Sequence, residues 1–93
     1  MKALSIEEIQ EKMKEFEGWE YNENAIHTSL QFNSFKDAFS MMTRIAFEAE
    51  QLNHHPDWSN VYNVIHISLS THDAGGVTNY DFEFAKIIDG LVG

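Results

Sequence analysis

Residues 58–71 read Trp-Ser-Asn-Val-Tyr-Asn-Val-Ile-His-Ile-Ser-Leu-Ser-Thr, and the way this stretch folds decides the architecture. Ile65, Ile67 and Leu69 alternate with His66, Ser68 and Ser70, the period-two pattern of a half-buried strand. One unbroken strand over these 14 residues would span ~46 Å at ~3.3 Å per residue. A compact domain of this chain length has a radius of gyration near ~12 Å, which such a strand would overshoot. A turn near Asn63 resolves the conflict and predicts a hairpin of Trp58–Tyr62 and Val64–Thr71.

Upstream of the hairpin, Phe35, Ala38, Phe39, Met42, Ile45, Ala46, Ala49 and Leu52 recur at helical spacing, with Ser34 placed to cap. The reading is one long helix whose apolar stripe packs into the core. Before it, Ile26, Thr28, Leu30 and Phe32 alternate with His27, Ser29 and Gln31 as a second amphipathic strand. Asn22-Glu23-Asn24 supplies turn residues that tolerate left-handed geometry, and Trp19–Tyr21 is a short strand candidate. At the N-terminus, Ser5-Ile6-Glu7-Glu8 reads as a capping box, followed by Ile6, Ile9, Met13 and Phe16 at helical spacing, with Gly18 as a stop. Downstream, Asp73-Ala74-Gly75-Gly76 is a flexible loop, and Thr78 with Asp81 forms a second capping box. It opens a helix carrying Phe82, Ala85, Ile88 and Leu91.

The element order is helix, two strands, helix, two strands, helix. Amphipathic strands joined by short links imply an α+β two-layer sandwich, a four-stranded antiparallel sheet with three helices on one face. The 93 residues suffice for a single domain, taken as 1–93. No cysteine is present, so disulfides and thiolate chemistry are excluded. The charged, amphipathic N-terminus does not resemble a signal peptide, and no apolar run approaches the ~20 residues of a membrane helix. The expected location is the cytoplasm, without membrane association. With 15 acidic and 6 basic residues, net charge −9, the domain repels phosphate backbones, so direct nucleic-acid binding is not expected.

The chemistry-bearing residues cluster by topology. His54 and His55 precede the first strand of the hairpin and His72 follows the second, so the turn brings all three to one sheet edge. Imidazole titrates near neutrality and suits proton transfer. Glu50 lies one helical turn before His54, and Asp81 opens the last helix; either carboxylate can orient an imidazole. His27 and His66 fall on the polar sides of strands and read as structural, while Trp58 and Phe84 read as core or interface. Metal-binding spacings such as His-x-x-x-His are absent, and adjacent histidines seldom point at one ion. No nucleophilic serine motif or glycine-rich phosphate loop occurs.

Glu50-Gln-Leu-Asn-His54-His55-Pro56-Asp-Trp58, then Val61-Tyr62-Asn63, then Ser70-Thr71-His72-Asp73-Ala-Gly-Gly76, then Asp81, resembles the pterin-4a-carbinolamine dehydratases. The resemblance extends back through Arg44-Ile45-Ala46, the Phe35–Phe39 segment and Phe32 to Gly18-Trp19, and forward through Ala85-Lys-Ile-Ile-Asp89, covering nearly the whole chain. It implies elimination of water from 4a-hydroxytetrahydrobiopterin, or a related pterin, to give quinonoid dihydropterin, with neither metal nor bound cofactor. It further implies that His54 and His72 are the acid/base residues and that His55, third member of the catalytic set, helps hold the pterin. Glu50, Pro56, Thr71, Asp73, Ala74 and Asp81 are implied to complete the pocket. Asn53 stands where some members have aspartate. Family members form homodimers with a sheet continued across the interface, often doubled to homotetramers through helices. Animal members also bind a homeodomain transcription factor, which makes a non-catalytic interaction module the alternative expectation.

Overall fold

A computed structural model describes residues 2–93. The turn that decides the architecture forms at Tyr62-Asn63, between β3 (Asp57–Val61) and β4 (Val64–Leu69). Tyr62 takes the left-handed conformation at φ 50. The Asn60 amide closes the turn by donating to the carbonyls of Tyr62 (3.1 Å) and Val64 (2.9 Å). Asn63 Nδ2 donates to the Phe32 carbonyl at 2.8 Å, fastening the turn to the neighbouring chain. The longest dimension of the molecule is 38 Å, too short for the unbroken strand rejected above.

The other strands are β1 (Glu20–Asn22) and β2 (Ala25–Gln31), joined by a turn in which Glu23 and Asn24 both have positive φ. That geometry matches the twist of a two-residue hairpin. All neighbouring strands run antiparallel in the order β1-β2-β4-β3. Register sorts the side chains. Ile26 opposes Leu69, Thr28 opposes Ile67 and Leu30 opposes Ile65 on the inner face, while His27 opposes Ser68 and Ser29 opposes His66 on the outer.

Against the inner face lie α1 (Ile6–Met13), α2 (Phe35–Leu52) and α3 (Asn79–Val92), each with a serine or threonine N-cap. Ile9, Trp19, Ile26, Ala38, Ile45, Ala49, Ile65, Ile67, Leu69, Phe84, Ala85 and Ile88 make the buried core. Trp19 is 6% exposed and its Nε1 donates to Asp89 Oδ1 at 2.9 Å, tying the entry of the sheet to α3.

Several sequence expectations shift. The hairpin strands run Asp57–Val61 and Val64–Leu69 instead of Trp58–Tyr62 and Val64–Thr71, since Tyr62 enters the turn and Thr71 closes the next one. The first helix stops at Met13, and Phe16 falls in the following turn, where its ring meets Phe82 at 5.3 Å. The first strand is Glu20–Asn22 rather than Trp19–Tyr21, because Trp19 turns into the core. In α2, Ala38, Ile45 and Ala49 are buried, but Phe35 is 51% and Phe39 55% exposed, and Ala46 is exposed as well. The apolar arc of this helix is wider than the sheet and α3 cover. The Asp73–Gly76 loop is a closed turn: a 3-10 segment (His72–Ala74) is bracketed by Thr71, whose N–H donates to the Gly76 carbonyl at 2.9 Å. Gly75 supplies the left-handed residue at φ 73, and a Cβ on Gly76 would lie 3.1 Å from that of Ala3.

Candidate active site

At the C-terminus of α2, Asn53 adopts the left-handed conformation (φ 52, ψ 43), and the His54 N–H donates to the Ala49 carbonyl at 3.0 Å. This is a left-handed helix stop, a position that asparagine accepts more readily than most residues. It ends the helix, and in the non-helical chain that follows the two adjacent histidines point to opposite sides. His54 turns inward and His55 outward.

His54 is partly buried, and its Nε2 lies 2.5 Å from Asp81 Oδ1. Asp81 is fully buried, held in the first turn of α3 by the same capping box that starts the helix. Its second oxygen accepts from the Thr78 backbone N–H (2.8 Å) and from the Thr71 hydroxyl (2.9 Å). The Thr78 and Thr71 hydroxyls are themselves paired at 2.7 Å. A buried carboxylate is costly unless its oxygens are hydrogen-bonded; here both are. Because the carboxylate only accepts, His54 Nε2 carries the proton and donates it. Nδ1 has no protein hydrogen-bond partner among the described residues.

His55 Nε2 meets Glu50 Oε2 at 2.5 Å on the surface, with side-chain exposures of 58% and 76%. An exposed pair of this kind contributes little to stability, but it sets the tilt of the ring. The two carboxylates offered by the sequence are thus divided, Asp81 to His54 and Glu50 to His55.

A cleft of about 460 Å³ opens beside His54, lined by Leu52, Asn53, His54, Thr71, Asp73 and Tyr80. The volume falls in the ~300–1,000 Å³ range typical of small-molecule sites. His72 is exposed in the 3-10 segment, flanked in the chain by the lining residues Thr71 and Asp73, but it does not itself line the cleft. Ala74 is half-buried in the same segment, and half-buried Pro56 leads into β3. The structure therefore joins His54, Asp81 and Thr71 directly, places Asp73 on the same cleft, and sets the His55–Glu50 pair apart on the surface. Tyr80, Asn53 and Leu52 are cleft residues that the sequence reading did not assign. The signal for Tyr80 was its place in the first helical turn, next to Asp81.

A larger hollow of about 570 Å³ lies on the outer sheet face, around His27, His66, Ser29 and Ser68. Its histidines are committed to structure. His27 Nδ1 pairs with Ser68 Oγ (2.7 Å) while its Nε2 faces the Asn22 carbonyl (3.1 Å), and His66 Nδ1 pairs with Ser29 Oγ (2.7 Å). Neither imidazole is hydrogen-bonded to a carboxylate, so the smaller cleft is the chemically equipped one. Among the described residues, no three histidine or acidic side chains converge to hold a metal ion. None of the helices described is long and apolar enough to cross a membrane.

Residues 2–91 match the family model described as Pterin 4 alpha carbinolamine dehydratase. A provisionally named pterin-4-alpha-carbinolamine dehydratase of Christiangramia forsetii is 60% identical over 92 residues, covering 99% of this chain and 95% of the relative. One of the same provisional name from Prochlorococcus marinus is 46% identical over 90 residues, covering 97% and 94%. The crystal structure of a transcriptional coactivator/pterin dehydratase from Brucella melitensis superposes with a TM-score of 0.94 at 35% identity, covering 98% of this chain and 99% of that one. With residues 2–91 of its 93 matched by the family model, the chain belongs to the pterin-4-alpha-carbinolamine dehydratase family.

Proposed function

We propose that this protein is an active dehydratase that eliminates water from 4a-hydroxytetrahydrobiopterin, or a related 4a-hydroxytetrahydropterin, in the recycling of tetrahydropterin. The observation that carries the reading is the buried chain Thr71–Asp81–His54 ending on a cleft of ligand size. A partly buried imidazole held in one tautomer by a buried carboxylate, beside a cleft, is an arrangement suited to proton transfer.

The chemistry fits these groups. Hydroxide leaves poorly, so the 4a oxygen must be protonated as the C4a–O bond breaks. The N5 proton departs to a base, its electrons form the C4a=N5 bond, and the released oxygen leaves as water. His54, through Nδ1, and His72 share these two transfers, with His55 completing the catalytic set and helping hold the pterin. General acid–base help of this kind supplies ~10²–10⁴-fold. The protein works as a homo-oligomer in the cytoplasm, without a resident cofactor.

A second reading, an interaction module, draws support from the exposed apolar side chains of α2, Phe35, Phe39 and Phe47, the last 72% exposed. The deciding experiment is a dehydratase assay with chemically generated 4a-hydroxytetrahydropterin. Acceleration well above the spontaneous rate is expected. A rate equal to the buffer blank at micromolar protein leaves only the module.

A further inference from the structure

We infer that Tyr80 is a substrate-contacting, specificity-determining residue, the aromatic surface on which the flat ring of the pterin rests. The inference deepens the dehydratase reading and depends on it. Tyr80 lines the cleft with its ring centroid 6.0 Å from that of His54 and a 34° angle between the ring planes. A flat ligand sandwiched between two rings needs two van der Waals gaps of roughly 3.5 Å each, more than this separation gives, so the rings adjoin along one wall instead.

The two rings cannot do the same work. The lone pair of imidazole lies in the ring plane, so His54 must meet the ligand edge-on to exchange a proton through Nδ1. A different surface has to carry the face of the bicyclic ring. Among the described residues, Tyr80 is the only other aromatic residue lining the cleft, and it is 43% exposed. Position is supplied by the first turn of α3, where the Tyr80 N–H donates to Thr78 Oγ1 at 3.3 Å and the next residue, Asp81, fixes His54. One helical turn therefore sets the stacking surface and the proton-transfer group relative to each other.

The test uses the whole protein and two readouts. First, the Tyr80 ring signals of the wild type are followed by NMR during titration with a stable dihydropterin; stacking moves them upfield. Second, KM and kcat are measured for Tyr80→Leu and Tyr80→Phe. The leucine variant keeps the apolar bulk but loses the π face, and is expected to raise KM about 10-fold, within the range of base–aromatic stacking, with kcat changed less than 3-fold. The phenylalanine variant stays near wild type. An active wild type whose Tyr80 signals do not move, or a leucine variant with unchanged KM, overturns the role of Tyr80 alone. A wild type that neither turns over nor binds pterin overturns the dehydratase reading, and this inference with it.

Discussion

The Thr71 hydroxyl donates to Asp81 Oδ2 at 2.9 Å, across a separation of ten residues. The contact joins the residue that closes the turn after β4 to the first turn of α3, and through Asp81 to the imidazole at the end of α2. Three segments that are distant in sequence thus meet on one carboxylate. Its substitution separates geometry from chemistry.

Asp81→Asn keeps the shape of the side chain but turns an amide NH₂ toward His54. The imidazole then accepts at Nε2 and carries its proton on Nδ1, the wrong tautomer for a base. A fall in kcat of roughly 10²-fold or more is expected, with the fold retained. Asp81→Ala removes the carboxylate altogether, leaves the His54 and Thr78 N–H groups without their acceptor, and destabilises by about 1–3 kcal/mol. Steady-state kinetics and urea melts check both; an Asn variant of wild-type kcat contradicts the orienting role.

The histidines should behave differently from one another. His54→Ala and His72→Ala lower kcat by roughly 10²-fold each if proton transfer limits the rate. His55→Ala raises KM more than it lowers kcat. From sequence, all three sit in loops and their loss is neutral for folding. The structure changes that for His54, whose removal leaves Asp81 Oδ1 unpaired in the interior and costs about 1–3 kcal/mol. His66→Ala, on the outer sheet face, is the control and leaves kcat unchanged. A crippled His66→Ala beside an intact His72→Ala would place the chemistry on the other face of the sheet.

Chelation should have no effect on turnover. The Nε2 atoms of His54 and His55 are each engaged by a different carboxylate, and no convergent donor set forms among the described residues. Activity measured after prolonged treatment with a strong chelator is expected to match the untreated protein. Stoichiometric zinc whose removal abolishes activity would replace acid–base catalysis with a metal mechanism.

Assembly is expected from two exposed features. Edge strand β3 ends in Val61, 70% exposed, and α2 presents Phe35 and Phe39 with ring centroids 5.8 Å apart. Open edges and uncovered aromatic side chains both favour association. Light scattering at micromolar concentration should return a multiple of the 10.7 kDa chain mass, and Phe39→Glu should reduce it. A strictly monomeric wild type rejects the proposal.

Acid should loosen α1 first at its start. The Ser5 N–H donates to Glu8 Oε1 (2.9 Å) and the Glu8 N–H to Ser5 Oγ (3.1 Å). The backbone hydrogen bond from Ser5, then its side-chain contact, lower the Glu8 carboxyl below its ordinary value of 4.5. A depressed carboxylate contributes stability that is fully present above the ordinary value and lost as pH falls through the lowered one. An NMR titration of Glu8 should give a midpoint below 4.5 in the wild type, moving up in Ser5→Ala.

The hairpin, the second strand and both capping boxes were legible because their signals are local: period-two alternation, a strand length no small domain can hold, and a hydroxyl three residues before a carboxylate. Asp81 as an orienting group was legible only as one of two alternatives, since nothing in the spacing says which of Glu50 and Asp81 the His54 ring will meet. That choice depends on how α3 docks against the end of α2, which brings Asp81 to His54 and leaves Glu50 to His55. Phe35 and Phe39 were read as core because a helical stripe reports apolarity and not the width of what covers it. Tyr80 escaped because the direction of a side chain in a first helical turn depends on how that helix docks.

Asp81 also completes the capping box that starts α3, so helix initiation and the hydrogen bond to His54 draw on the same side chain. Fraying of the first turn of α3 withdraws the carboxylate from His54 in the same event. A molecule frayed at this one point keeps the rest of its fold but loses the orientation of its imidazole, so under the proposed chemistry damage here lowers the number of working molecules rather than the rate of each.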